Sequence, residues 1–296
     1  MTPPSPPAGS GPASAFRLTR PRARSTAAVF ASPHSGRGYS RAFLSRTALD
    51  ARAIRSSEDA FVDELFAAAP SHGAPLLAAE APRAFVDVNR AADELDPALI
   101  EGVRRTGHNP RVASGLGVIP RVVAGGRPIY RGRITLADAR ARIEGAWVPY
   151  HAALRALMEE SRAAFGEAVL IDCHSMPHEA LEGGRAGRPD VVLGDRFGAA
   201  AAPDLVEQVE AAFRRAGLRV ARNAPFAGAY VAQAYGRPAQ GSHAIQVEID
   251  RALYMDEARV ERRPDFAAFQ ALVGQVVAEI CDVARPAAAE TPLAAE

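Results

Sequence analysis

Short apolar runs alternate along this chain with longer stretches of helical period, and that alternation constrains its fold more than any other feature. Residues 26–32, 84–88, 168–173, 191–193, 219–222 and 245–249 are expected as strands, and residues 57–69, 136–165, 202–216 and 265–283 as helices. The longest helical stretch carries Ile143, Trp147, Tyr150, Leu154 and Leu157 at spacings of three and four, so that face belongs in a core, and Gly166 offers a left-handed cap at its end. Pro149 inside it predicts a kink. The Pro- and Gly-rich residues 107–132 predict a long loop, a kind of segment that usually carries function. The expected class is α/β, a three-layer arrangement of helices on both faces of a sheet.

At 296 residues the chain is long enough for one large domain, expected over residues 27–284. Residues 1–26 combine Pro3, Pro4, Pro6, Pro7, Gly9 and Gly11 with four arginines and no acid, a composition that predicts a disordered N-terminal tail. Residues 285–296 predict a flexible C-terminal one. A net charge of +1 with no basic stripe implies neither nucleic acid nor an anionic membrane as partner. No apolar run of about 18 residues stands out that would span a bilayer. Cys173 and Cys281 show no metal-type or redox spacing, which suits a reducing, cytoplasmic compartment.

Ligands of open α/β sheets bind at the carboxyl ends of strands, so polar residues there carry the functional argument. The first strand runs into Ser-Pro-His34-Ser-Gly, whose glycines let the backbone turn tightly after the histidine. A later one runs into Asp172-Cys-His174-Ser-Met-Pro, with Asp172 two residues before the histidine and therefore on the same side of the strand. Imidazole is the commonest metal ligand, and a hydrolytic zinc site needs three protein ligands and an open position. Asp59 and Asp63 are candidates for the third ligand, although both acids would also serve as helix N-terminal charges. Glu248 stands among Ile245, Val247 and Ile249, where burial would raise its pKa toward that of a general base. Asn89 and Arg90 follow the expected strand 84–88, and an arginine fork there suits an acidic substrate; Arg83 could reach the same pocket and stabilise an oxyanion. No Gly-x-Ser-x-Gly elbow or Gly-x-Gly-x-x-Gly fingerprint competes with this reading.

Taken in order, Ser-Pro-His-Ser-Gly, Glu-Asp-Ala-Phe-Val-Asp, Val-Asp-Val-Asn-Arg, Ile-Asp-Cys-His-Ser-Met-Pro, Leu-Gly-Asp-Arg-Phe-Gly and His-Ala-Ile-Gln-Val-Glu resemble the N-formylglutamate amidohydrolase family over residues 27–283. The motif order is also similar to that of the zinc carboxypeptidases and the aspartoacylase and succinylglutamate desuccinylase group. The resemblance implies a zinc-exopeptidase/phosphorylase-hydrolase-like mixed sheet and a cytoplasmic hydrolase of linear amides that removes the N-formyl group of a small acidic amino acid. It implies one divalent ion, zinc, on His34, His174 and a carboxylate, with Glu248 as base, Arg83 on the scissile carbonyl, and Asn89 and Arg90 on a substrate carboxylate. Related enzymes take the third ligand three residues after the first histidine, where this chain has Arg37; Asp59 is expected instead, being nearer the strand ends than Asp63. The family block Gly-Gly-Tyr-x-x-Arg-His-Tyr-Gly is also altered, with Gln233 and Ala234 in place of its arginine and histidine. That departure keeps open a non-catalytic binding protein on the same scaffold.

Overall fold

A computed structural model describes residues 14–104, 107, 109–181 and 187–286. Seven strands form one mixed sheet: β1 (Phe16–Thr19), β2 (Ala28–Ser32), β3 (Leu76–Ala79), β4 (Ala168–Met176), β5 (Val191–Gly194), β6 (Val220–Arg222) and β7 (Ser242–Asp250), in the order β1-β3-β2-β4-β7-β5-β6. The central strands β3, β2, β4 and β7 run parallel, while β1 on β3 and β5 on β7 are antiparallel. The helices are α1 (Arg41–Leu44), α2 (Val62–Leu65), α3 (Pro110–Ala113), α4 (Leu136–Arg142), α5 (Val148–Phe165), α6 (Pro203–Arg215), α7 (Tyr230–Tyr235) and α8 (Phe266–Val283).

The period of two along the strands sorts the core into layers. Val169, Ile171 and Cys173 of β4, with Ile245, Val247 and Ile249 of β7, pack with residues of α2, α6 and α8. Ala168 and Leu170, with Ala244, face the other way onto Tyr150, Leu154, Leu157 and Met158 of α5 and Val231 of α7. A third apolar cluster, built around Phe43, Phe85, Ile100, Ile119 and Ile129, supports the long connections between β3 and α5. The sheet therefore has helices on both faces, as the alternation of elements predicted.

Several expectations change. The N-terminal tail is not loose through residue 26: Phe16 and Leu18 turn half-buried toward the α5-side core while Arg17 and Thr19 stay exposed, and β1 completes the sheet edge. Residues 1–13 and 287–296 lie outside the described residues. Residues 84–88 are not a strand, because Pro82 opens a turn whose carbonyl accepts from the Phe85 and Val86 amides at 2.9 and 3.2 Å. The strand that pairs with β2 on the edge away from β4 is instead β3, whose Leu-Leu-Ala-Ala sequence is buried throughout and so shows no alternation.

Residues 57–69 do not form one helix. Phe61 sits at φ 67°, so α2 is only four residues long and Asp59 precedes it. Residues 136–165 remain helical, but Ile143–Trp147 form a π-helical turn just before Pro149, which occupies the first turn of α5 where no amide hydrogen is needed. α8 is long and apolar enough to cross a membrane by length and composition, with a mean hydropathy of 1.4, where the sequence reading found no such run. Its Val273, Val276, Val277, Ile280 and Cys281 are buried in the sheet core.

Candidate active site

The site grows from the parallel register of β4 on β7, which pairs Asp172 with Gln246 and His174 with Glu248. All four share the face that, one turn of the pleat earlier, packs on α5. Toward the strand ends that cover stops and the face opens into a cavity of about 530 Å³ lined by His34, Asp59, Arg83, Asp87, Arg90 and Glu248 among others. Residues 109–132 form a mostly irregular segment interrupted by α3 and a short turn at Ala124–Gly126, and Arg111, Ser114, Leu116, Pro120 and Val122 from it wall the cavity.

His34 comes from the turn after β2. A Cβ added at Gly36 would lie 2.2 Å from the Ala81 carbonyl oxygen, so only glycine lets this turn press against the segment after β3. The Asp59 amide donates to the His34 carbonyl at 3.0 Å, which fastens the Asp59 turn to the histidine turn. Asp59 Oδ2 then lies 3.3 Å from His34 Nδ1 and 2.9 Å from His174 Nδ1, with the two rings 4.8 Å apart between centroids. Asp59 Oδ1 faces away and accepts from Arg251 Nη2 at 2.9 Å. Asp63, the other candidate, is turned outward to Arg17 and Arg37.

The opposite edges of both imidazoles meet carboxylates. His34 Nε2 lies 2.7 Å from Asp87 Oδ1, and burial, which would raise Asp87, is overcome by His34 and Arg83, holding that carboxyl well below the usual range. An ionised Asp87 only accepts, so the contact calls for a hydrogen on Nε2 and leaves Nδ1 as the ring atom that faces Asp59. That Nδ1 is buried with no hydrogen-bond partner among the described residues. His174 Nε2 lies 3.0 Å from Asp172 Oδ2, a close ion-pair approach although neither Asp172 oxygen completes an aligned hydrogen bond. Burial lowers His174, but Asp172 outweighs it and holds the ring well above its usual pKa. Burial likewise opposes ionisation of Asp59, and the two histidines reverse that effect, holding its carboxyl well below the ordinary range.

The donor set therefore fits a divalent cation: one ligand atom from each of His34, Asp59 and His174 lies within 4.8 Å of the others, both Nδ1 atoms flank Asp59 Oδ2, and His34 Nδ1 has no hydrogen-bond partner among the described residues. Carboxylates behind metal-binding imidazoles select this tautomer. Loss of the proton that His174 Nδ1 shares with Asp59 Oδ2 would turn the cluster into a ligand set.

Glu248 accepts from Gln246 Nε2 at 2.7 Å and lines the same cavity. Burial pushes its carboxyl up to about 7, with Asp59 adding to the rise and His174, Arg83 and Arg251 opposing it. Arg83 binds Asp87 through Nε at 3.2 Å, and its two terminal nitrogens make no hydrogen bond to the described residues. Asn89 accepts the Val231 amide at 2.8 Å and points Nδ2 at His174 Nε2, 3.1 Å away. Arg90 donates Nε to the Leu116 carbonyl and Nη1 to the Asn89 carbonyl, both at 3.0 Å. The turn that carries these two residues is braced from behind: His151 Nε2 donates to the Val88 carbonyl and Trp147 Nε1 to the Arg90 carbonyl, each at 2.8 Å.

His34, Asp59, Arg83, Asn89, Arg90, His174 and Glu248 thus all line one cavity. The Asp195–Gly198 loop and His243 do not: Asp195 is held by Asn223, and His243 Nδ1 accepts the Ala202 amide. Gln233 and Ala234 do not line it either. Sequence reasoning missed Asp87 and Arg251. The desolvation argument made for Glu248 applies equally to Asp87 between Val86 and Val88, and would have found it.

A model of the N-formylglutamate amidohydrolase family matches residues 26–255. The N-formylglutamate deformylase of Pseudomonas aeruginosa is 33% identical over 233 residues, covering 76% of this chain and 80% of its own. That of Pseudomonas putida is 32% identical over 232 residues, with the same coverage of 76% and 80%. Among solved structures, the N-formylglutamate amidohydrolase of Ralstonia eutropha superposes with a TM-score of 0.85 at 36% identity, over 91% of this chain and 98% of that one. A gene product of Agrobacterium tumefaciens at 17% identity and a TM-score of 0.61 shares the fold, over 90% of this chain and 96% of that one. By the match of its sequence and the likeness of its fold, this chain belongs to the N-formylglutamate amidohydrolase family, hydrolases of a linear amide bond.

Proposed function

We propose that this protein hydrolyses the N-formyl amide of N-formylglutamate or a closely similar N-acyl amino acid, with His34 Nδ1, His174 Nδ1 and Asp59 Oδ2 holding one zinc ion and Glu248 acting as the base. The observation that carries the reading is the convergence of those three atoms beside a buried carboxylate whose pKa is raised. A zinc ion so held acts as a Lewis acid and lowers the pKa of water.

The protein's own groups supply the rest. Glu248 removes a proton from the attacking water; burial makes its carboxylate basic enough near neutral pH to do so. The Arg83 terminal nitrogens face the cavity and offer donors to the amide oxygen as negative charge develops there. Glu248 then returns the proton to the departing nitrogen as the carbon–nitrogen bond breaks. One amide and one water become formate and a free amino group. Arg90 holds a substrate carboxylate, and Asn89 offers an Nδ2 hydrogen beside it. Arg251 fixes the orientation of Asp59, and Asp87 and Asp172 fix the two imidazoles.

Metal analysis of the purified protein, with hydrolysis assays over N-formyl amino acids, tests the proposal. Stoichiometric zinc with turnover of N-formylglutamate is expected. Protein that binds no divalent ion and releases no formate contradicts it.

A further inference from the structure

Among the described residues, not every arginine of the cavity wall has a carboxylate partner. Four arginines line it, namely Arg83, Arg90, Arg111 and Arg251. Arg83 is paired with Asp87 at 3.2 Å and Arg251 with Asp59 at 2.9 Å. Arg90 spends its bonds on two backbone carbonyls and has no carboxylate partner among the described residues. Arg111 makes no side-chain hydrogen bond or ion pair to the described residues, and residues 104–109, just before it, contain no acid. Yet the two are held near each other. The Leu116 carbonyl accepts from Arg90 Nε, while the Leu116 amide donates to the Arg111 carbonyl at 2.8 Å, so one residue ties both to the same wall. Burial depresses Arg90; Asp87 and Glu94 oppose that effect, and the charges of Arg83 and Arg111 add to it. Two guanidinium groups that line one cavity, neither with a carboxylate ion-pair partner among the described residues, suit an anion with two separate charges.

The position of Arg111 is built. Asn109 Oδ1 caps α3 by accepting the Arg111 and Val112 amides at 3.0 and 3.3 Å, and Pro110 fixes the first helical residue. Arg121, anchored on Asp96 at 2.8 Å, donates to the Ala113 carbonyl at 3.2 Å and secures the other end.

We propose that Arg111 is a specificity-determining residue that binds the side-chain carboxylate of the substrate, while Arg90 binds its α-carboxylate. The assignment deepens the hydrolytic reading above and rests on it. Arg90 is buried and close to the ligand cluster, so it takes the carboxylate two bonds from the scissile nitrogen. Arg111 is exposed and lines the same cavity, and takes the other one. The contact that distinguishes the side-chain charge accordingly lies outside the altered Gln233-Ala234 block. A contact to a charged group at an exposed site is worth roughly a tenfold change in affinity.

The test is a cycle between protein and substrate, using steady-state kinetics with N-formyl-L-glutamate and N-formyl-L-glutamine, which differ only in the outer charge. Arg111→Ala should raise KM for the glutamate substrate roughly tenfold more than KM for the glutamine one, and Arg111→Lys should recover part of the difference. Equal effects on both substrates, or no effect on either, would overturn the assignment while leaving the hydrolytic reading intact. So would a wild-type enzyme that does not distinguish the two substrates. Wild-type protein that hydrolyses neither overturns both.

Discussion

The two faces of β4 and β7 obey the same pleat and come to different ends. On the α8 side, Val169, Ile171, Cys173, Ile245, Val247 and Ile249 stay apolar to the last residue. On the α5 side, Ala168, Leu170 and Ala244 are core, and then Asp172, His174, Gln246 and Glu248 are polar, though equally hidden from solvent. The difference teaches where burial is used for stability and where for chemistry. The α8 face gains free energy from every residue it buries. The α5 face, past the end of its helix, holds ionisable groups in a low dielectric, where each must be matched by a neighbour and where pKa values are displaced.

Substitutions on adjacent residues should separate the two roles. The largest effect is expected from Glu248→Gln, which should keep the ion and lower kcat by about 10²–10⁴-fold; His174→Ala should lose ion and turnover together. Metal analysis beside formate release checks both, and wild-type activity in the glutamine variant removes Glu248 from the mechanism. One residue on, Ile249→Ala points the other way. It should cost about 2–5 kcal/mol of stability in urea melts, with ion stoichiometry and kcat retained in the folded protein. Loss of ion in that variant would mean that the faces are not independent.

The brace behind Asn89 and Arg90 gives a pH-dependent version of the same contrast. Burial lowers His151 from 6.5 to about 4, and its Nδ1 accepts from the Tyr235 hydroxyl at 2.8 Å. Between those values the unfolded chain takes up a proton that the folded protein refuses, so the contribution is full above about 6.5 and is lost as pH falls toward 4. The loss should approach about 3 kcal/mol. Urea melts of wild type and His151→Phe across that range should converge as pH falls, and parallel curves would dissociate the brace from His151 titration. The smallest expected effect is that of Asp87→Asn or Asp172→Asn, a weakening of zinc affinity by about 10–100-fold, measured by chelator competition. Unchanged affinity in both would leave the imidazoles without carboxylate support.

How much of this was legible in the sequence follows the same division. His34, His174 and Glu248 were readable because a polar residue ending an apolar run is a local signal, and Asp172 shared the parity of His174. β3 was not readable, since Leu76–Ala79 is buried on both faces and has no period to detect. The turn at residues 84–88 was taken for a strand because its apolar side chains serve a separate cluster, which composition alone does not distinguish from a sheet. Asp59 was found among two acids, but for a helix that Phe61 interrupts; what places it is a backbone bond to His34, a tertiary fact. Arg251 and Arg111 left no local trace, because their meaning lies in which acids they do or do not meet.

The central claim is that two Nδ1 atoms and Asp59 form one cation site whose tautomers are set from behind. A crystal structure of the zinc-loaded protein tests it most directly. The account predicts an ion about 2.0–2.2 Å from His34 Nδ1, His174 Nδ1 and Asp59 Oδ2, with both Nε2 atoms still on Asp87 and Asp172. An ion bound through either Nε2, or one that takes Glu248 in place of Asp59, would contradict it.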